Sequence, residues 1–315
     1  MDAQPQSGVT APEAAVPHVN PWIVAVSVMF ATFLEVLDTT VVNVSLPHIA
    51  GSLSATPEEA TWTLTSYLVA NAVILPLTGW LAGYFGRKRL LMLAVTGFTL
   101  SSFLCGIAPS LGFLVLFRLI QGTTGGVLQP MSQAIMLEAF PVEQRGKGMA
   151  FWGLGIVVAP ILGPVLGGWL TDNYSWRWVF YINLPIGIAS LVMTKAFIFD
   201  PPYLRKPRGR IDAVGIGLLV IGIGALQFVL DKGQQEDWFD SQTIVALTAV
   251  SVLSLLLFVV HALRASDPVL DLRVLKDRTY ATGVFLMTVL GFVLFGSLVM
   301  LPLFLQTILG YESYQ

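Results

Sequence analysis

Asp38 lies inside the apolar stretch Trp22 to Leu46, a run long enough to cross a bilayer. A carboxylate at that depth is costly unless it is neutralised, hydrated or paired, so it marks an ion or substrate route. Glu35 stands three residues earlier and shares its helix face. Two carboxylates on one face of a low-dielectric site cannot both be comfortably ionised. A group that takes and releases a proton near physiological pH is what proton coupling requires. Arg118 is the third member, six residues into the apolar run that starts at Phe113. On antiparallel helices Asp38 falls ~12 Å and Arg118 ~9 Å below the outer end, the same level. An intramembrane arginine needs a partner, and Asp38 is the best placed. The bland alternatives are polar groups tied into helix packing for the two acids, and snorkelling to the interface for Arg118.

Two further features suit motion. Gly155, Ala159, Gly163 and Gly167 recur every fourth residue and form a smooth stripe that permits close helix approach. Pro160 and Pro164 on the same span free backbone carbonyls and allow a bend. A smooth, bendable seam fits a protein whose two halves rock against each other; tight static packing is the alternative. The stretch from Gly79 to Leu90 holds a tight basic turn, Arg87, Lys88 and Arg89, which anchors topology. A conformational latch there would need an acid, and position 83 offers only glycine.

The elements that must position these residues are apolar helices. The chain of 315 residues is 55% hydrophobic and 11% charged, against about a quarter charged in a soluble domain. Nine apolar windows lie near 22–46, 61–83, 90–108, 113–137, 148–170, 178–199, 213–230, 242–263 and 280–309. Each meets the ~20 residues that a spanning helix needs, and the last is long enough to kink at Pro302 or to tilt. The ten-residue alternation of an outer-membrane barrel is missing. With a cytoplasmic N-terminus, Lys and Arg concentrate in the inner loops and only Arg177 and Lys232 fall outside. The outer loops are acidic, with Glu58, Glu59, Asp172, Asp231, Glu236, Asp237 and Asp240.

The expected organisation is an all-α polytopic membrane protein. Residues 1–20 read as a disordered cytoplasmic tail, and 21–200 as an N-terminal six-helix bundle. Residues 201–212 form a Pro-rich basic linker, 213–263 two extra linker helices, 264–279 a cytoplasmic loop, and 280–315 the start of a second bundle. An odd ninth span followed by Gln315 predicts a truncated or partial chain.

Other chemistries find no support. Cys105, the one cysteine, lies in an apolar run and reads as a small buried hydrophobe. His18, His48 and His261 lack metal-ligand spacing, so no metal is expected. No Walker loop, nucleophile elbow or HExxH occurs, so neither ATP drive, a cofactor nor an enzyme activity is expected. No basic tract suits nucleic acid.

These motifs together resemble the major facilitator superfamily, and within it the fourteen-span drug/proton antiporters. Leu37 to Pro47 is similar to that family's first-helix signature. Arg118, Gln121, Gly122 and Gly126 match its fourth-helix motif, and Trp176 to Gly187 the stretch opening the sixth. Gly155, Pro160, Gly163, Pro164, Gly167 and Gly168 match the fifth-helix antiporter motif, which is the specific one. Gly79, Gly86, Arg87 and Lys88 fit the cytoplasmic motif, but Gly83 replaces its acid and Tyr84 a common basic residue, which argues against a charge-relay latch.

The resemblance covers residues 20–315 and implies the major facilitator fold in the inner membrane of a bacterium, with proton-driven export of hydrophobic, often cationic, drugs. Asp38, Arg118 and Glu35 would couple protons, and Glu35, Asp38 and Gln121 would meet substrate. It also implies a periplasmic adaptor and an outer-membrane channel as partners. Asp38→Asn is expected to abolish proton-linked efflux with folding intact. The rivals are a lipid or siderophore exporter on the same scaffold, or a receptor or assembly subunit without transport of its own.

Overall fold

Asn20 starts the first helix. Its side-chain oxygen accepts from the Trp22 N–H at 3.0 Å, and Pro21 takes the first position, where a missing N–H is no loss. The computed structural model describes residues 20–200 and 212–307. The expected tail and most of the Pro-rich linker lie outside the described residues.

The helices are α1 Pro21–Ser52, α2 Pro57–Phe85, α3 Arg87–Gly106, α4 Leu111–Ala139, α5 Val142–Asn173, α6 Trp178–Phe197, α7 Ala213–Lys232 and α8 Gln242–Arg264. All eight are long and apolar enough to cross a membrane. A further helix, α9 Arg278–Thr307, takes in the ninth window as far as Thr307 and runs through Pro302. Every regular element among the described residues is helical. α2 begins four residues before its apolar window. Thr56 and Glu59 form a reciprocal capping box at the start of α2.

Two spans are interrupted, α2 twice and α4 once. Pro76 turns α2 into a short 3-10 turn, Leu75–Leu77, before it resumes as Thr78–Phe85. Thr61 separates the first turn of α2, Pro57–Ala60, from Trp62–Ile74. The α4 span breaks between Gly125 and Leu128. One residue, Gly86, joins α2 to α3 with φ +83°, a left-handed conformation that favours glycine.

α1 is the central helix of the first six. It packs against α4, α5 and α6. Two apolar clusters fill the bundle. One gathers Val28, Leu34, Phe98, Leu128, Met136 and Phe140. The other gathers Leu37, Val41, Leu114, Val179 and Phe180. Polar residues buried near the join between them, Glu35, Asp38, Arg118, Gln121 and Asn183, form the candidate site.

The small-residue stripe of α5 faces α1. A Cβ on Gly163 would meet Thr40, one on Gly167 the backbone of Val41, and one on Gly155 Met29, while Ala159 is fully buried. The seam therefore lies within one bundle. The close helix approach expected of this stripe is made with α1, the neighbouring helix of the same bundle. Pro160 and Pro164 sit in an unbroken helix, Arg145–Asn173.

The chain divides into two units at Phe258 and Val259. In the second, the Arg273 guanidinium donates to the carbonyls of Leu263 and Ala265 at 3.0 and 2.8 Å, capping the end of α8. Asp277 accepts from the N–H groups of Thr279 and Tyr280 and starts α9.

Candidate functional site

The carboxylate of Asp38 and the guanidinium of Arg118 are both fully buried. Arg118 Nη1 donates to Asp38 Oδ2 at 2.5 Å and to Gln121 Oε1 at 2.8 Å. Arg118 Nε donates to the Thr63 carbonyl at 3.1 Å. Gln121 Nε2 returns a bond to Asp38 Oδ1 at 3.0 Å. The pairing expected between α1 and α4 is thus present, and Gln121, one turn along from Arg118, completes a ring with it.

A fourth helix joins from α6. Asn183 Nδ2 donates to Asp38 Oδ1 at 2.6 Å and reaches Ser102 Oγ at 3.0 Å, while Ser102 donates to the Phe180 carbonyl at 2.9 Å. Cys105 Sγ lies 3.5 Å from Gln121 Oε1, a weak donor at the edge of the ring. The face of Tyr67 lies 4.2 Å from Arg118 Cζ, a cation–π contact. Asp38 therefore receives bonds from α4 and α6, and Arg118 spends one on α2. An ion pair in such a site stands only because its remaining lone pairs and protons are met.

The network is incomplete in a suggestive way. Arg118 Nη2, Asn183 Oδ1, Glu35 Oε2 and the Tyr67 hydroxyl are buried without a hydrogen-bond partner among the described residues. Such atoms cost about 1–3 kcal/mol each when left unmet.

Glu35 is buried one turn before Asp38 and takes a separate partner, Asn71 Nδ2 at 2.9 Å. It makes no hydrogen bond to Arg118. The sequence put both acids on one face; the fold gives one the arginine and the other a neutral amide. Gln121 is fully buried, with its amide committed to Asp38 and Arg118.

The burial of Arg118 bears on the expectation that Asp38→Asn leaves folding intact. Arg118 has no solvent exposure, so losing its anion leaves a buried cation uncompensated, a cost of about 3–5 kcal/mol.

The basic turn needs a correction. Position 83 is glycine, yet acids reach the turn from elsewhere. Arg87 forms an ion pair with Glu138 at the end of α4. Asp200, beyond α6, accepts from the Lys88 N–H at 2.7 Å. A Cβ on Gly86 would lie 2.9 Å from that carboxylate. Lys88 Nζ donates to the Lys195 carbonyl at 2.8 Å and sits 4.8 Å from the Phe199 ring. Partners so far along the chain leave no local spacing signal.

Sequence reasoning missed Thr63, Asn71, Ser102 and Asn183. Asn183 carried a weak signal, as an amide inside the apolar run of α6. Thr63 acts through its backbone carbonyl, which no residue type announces.

The Major Facilitator Superfamily profile matches residues 28–315. Over 291 residues the chain is 43% identical to the multidrug export protein EmrB of Escherichia coli K12, covering 92% of this chain and 57% of that protein. It is 45% identical over 293 residues to the fatty acid resistance protein FarB of Neisseria gonorrhoeae, with the same two coverages. The chain thus spans little more than half the length of these relatives. Among solved structures, a peptide transporter POT in complex with sulfate matches with TM-score 0.58 and 16% identity, covering 77% of this chain and 53% of that one, a likeness of fold alone. Apolar spans, helical bundle and relatives agree: this is a multi-pass membrane protein, and the chain belongs to the major facilitator superfamily, resembling its multidrug exporters.

Proposed function

We propose that this chain belongs to a proton-driven multidrug exporter, a drug/H⁺ antiporter that works by alternating access. The observation that carries the reading is the buried Asp38–Arg118 pair, held by residues from separate helices. A proton on Asp38 would cancel its attraction for Arg118 and release the guanidinium. The helices that share the network would then prefer a different arrangement. Binding that differs between two states is what shifts the balance between them. Glu35, with one unmet oxygen, is the second acid in reach of a proton or a cationic drug. Each charge carried across the membrane is driven by ~2.3 kcal/mol per 100 mV.

The relatives' names, a multidrug export protein and a fatty acid resistance protein, support this reading. On this reading the protein sits in the bacterial inner membrane with a cytoplasmic N-terminus. It passes substrate to a periplasmic adaptor of the EmrA kind and an outer-membrane channel of the TolC kind. The lipid or siderophore exporter and the non-transporting subunit are not favoured.

The test is the complete protein in inverted membrane vesicles, with ethidium as probe and an imposed pH gradient. Asp38→Asn should remove pH-driven uptake. Membrane abundance and unfolding temperature are measured in parallel, because Arg118 is left unpaired. Undiminished pH-driven uptake in the variant refutes the reading.

A further inference from the structure

The linker helix α7 lies against α2. Its last residues carry charges that the sequence placed on the outer side. Lys232 is only 4% exposed. Its Nζ donates to Thr61 Oγ1 at 2.6 Å and to Gln235 Oε1 at 3.0 Å, and it lies 5.1 Å from the Trp62 ring. Next to it, Asp231 accepts from the hydroxyl of Thr65. The Trp62 and Phe228 rings pack 5.5 Å apart beneath.

Thr61 and Thr65 bracket Thr63. That residue's carbonyl accepts from Arg118 Nε at 3.1 Å. One short stretch of α2 is therefore held by α7 through two side chains and by the buried guanidinium through one carbonyl. The stretch begins at the break after Ala60, where two helical segments meet at Thr61. An apolar residue in place of Lys232 would pack α7 on α2 without burying an ammonium. A buried lysine must instead keep its acceptors, and here one is Thr61 on α2 and the other Gln235 just beyond α7, which ties the two helices together at this point.

We propose that Lys232 and Asp231 are positioning residues of the coupling site: they hold the Thr61–Thr65 stretch so that the Thr63 carbonyl stays on Arg118. The inference rests on the antiport reading above. If the carbonyl withdraws, Arg118 Nε loses its acceptor. Nη2 already has none, so the guanidinium leans further on Asp38. A proton must then compete with a tighter pair. The other titratable groups around Asp38 are Glu35 on α1, Tyr67 on α2 and Cys105 on α3, and no variant below touches them.

The experiment uses the complete protein in inverted vesicles, with ethidium uptake followed against pH. Lys232→Met should move the pH midpoint of uptake to the acid side by about half to one unit, with KM for ethidium unchanged. Lys232→Arg should restore it. If Lys232→Met does not reach the membrane, Thr65→Val serves, since it keeps the side-chain volume and removes the hydroxyl that meets Asp231 and the Thr61 carbonyl. A lower rate with an unmoved pH midpoint marks a merely structural role and overturns the inference. Asp38→Asn separates the two failures. If it is inactive while Lys232→Met keeps the native profile, the positioning role alone falls. If it still couples to the gradient, the antiport reading falls and takes this inference with it.

Discussion

Gly163 is where α5 approaches α1 most closely in the stripe, and Gly163→Ala is the sharpest test of that contact. The added Cβ would lie 2.0 Å from Thr40 Oγ1 and 2.5 Å from Thr40 Cβ, with the Thr40 backbone carbon at 3.3 Å. The hydroxyl cannot simply rotate away, since it donates to the carbonyls of Val36 and Leu37 at 3.1 and 2.9 Å. Overpacking of this kind costs about 1–3 kcal/mol. Alanine recovers about 0.5–1 kcal/mol in helix propensity. The net loss is about 0–2.5 kcal/mol, toward the upper end because the Thr40 hydroxyl is held in place. Neighbouring glycines grade the prediction. At Gly167 the clash is with backbone, Val41 O at 3.0 Å and Cα at 3.2 Å, so α1 itself must retreat. At Gly155 the obstacle is the Met29 sulfur at 2.9 Å, the end of a flexible side chain that swings aside. Gly153 and Gly168 face open space, so alanine there should stabilise slightly.

The assay is thermal unfolding of the purified complete protein in detergent. The expected order of unfolding temperature is Gly153→Ala and Gly168→Ala highest, Gly155→Ala near the parent, and Gly167→Ala and Gly163→Ala lower by a few degrees. Thr40→Gly, which removes both clashing atoms, should show favourable coupling with Gly163→Ala in a double-mutant cycle. If Gly163→Ala proves as stable as Gly153→Ala, with no coupling to Thr40, the close packing of α5 on α1 is refuted.

Asn183→Ala should cost about 1.5–3 kcal/mol and depress transport, since it strips one donor from Asp38 and one partner from Ser102; unfolding temperature and ethidium uptake check it. Asp200→Ala should lower stability by about 1 kcal/mol, because the Lys88 N–H loses its acceptor at a helix start, read again by thermal unfolding. Glu138→Gln should change stability by less than about 1 kcal/mol, as both partners of the ion pair keep contact with solvent, 19% and 35% exposed; a larger loss would mean that the pair is structural.

The sequence alone determined the class, the spans and the pairing of Asp38 with Arg118. Apolar runs of helix length can satisfy their backbone in lipid only as helices. A carboxylate and a guanidinium at one depth in such runs have no cheaper arrangement than each other. The stripe of small residues likewise announced a close approach, because period four is a local property of one helix. Its partner was not local. Only the tertiary structure decided that the stripe meets α1 and that Glu35 takes Asn71 instead of the arginine. It alone brought Asn183 to Asp38, Asp200 to Lys88 and Lys232 to Thr61. The physical reason is common to all of these. Each joins residues far apart in the chain through one side chain or one carbonyl, and such a bond depends on how helices are rotated about their axes. Spacing along a chain sets which residues share a face; which neighbour that face meets is settled by how the helices pack together.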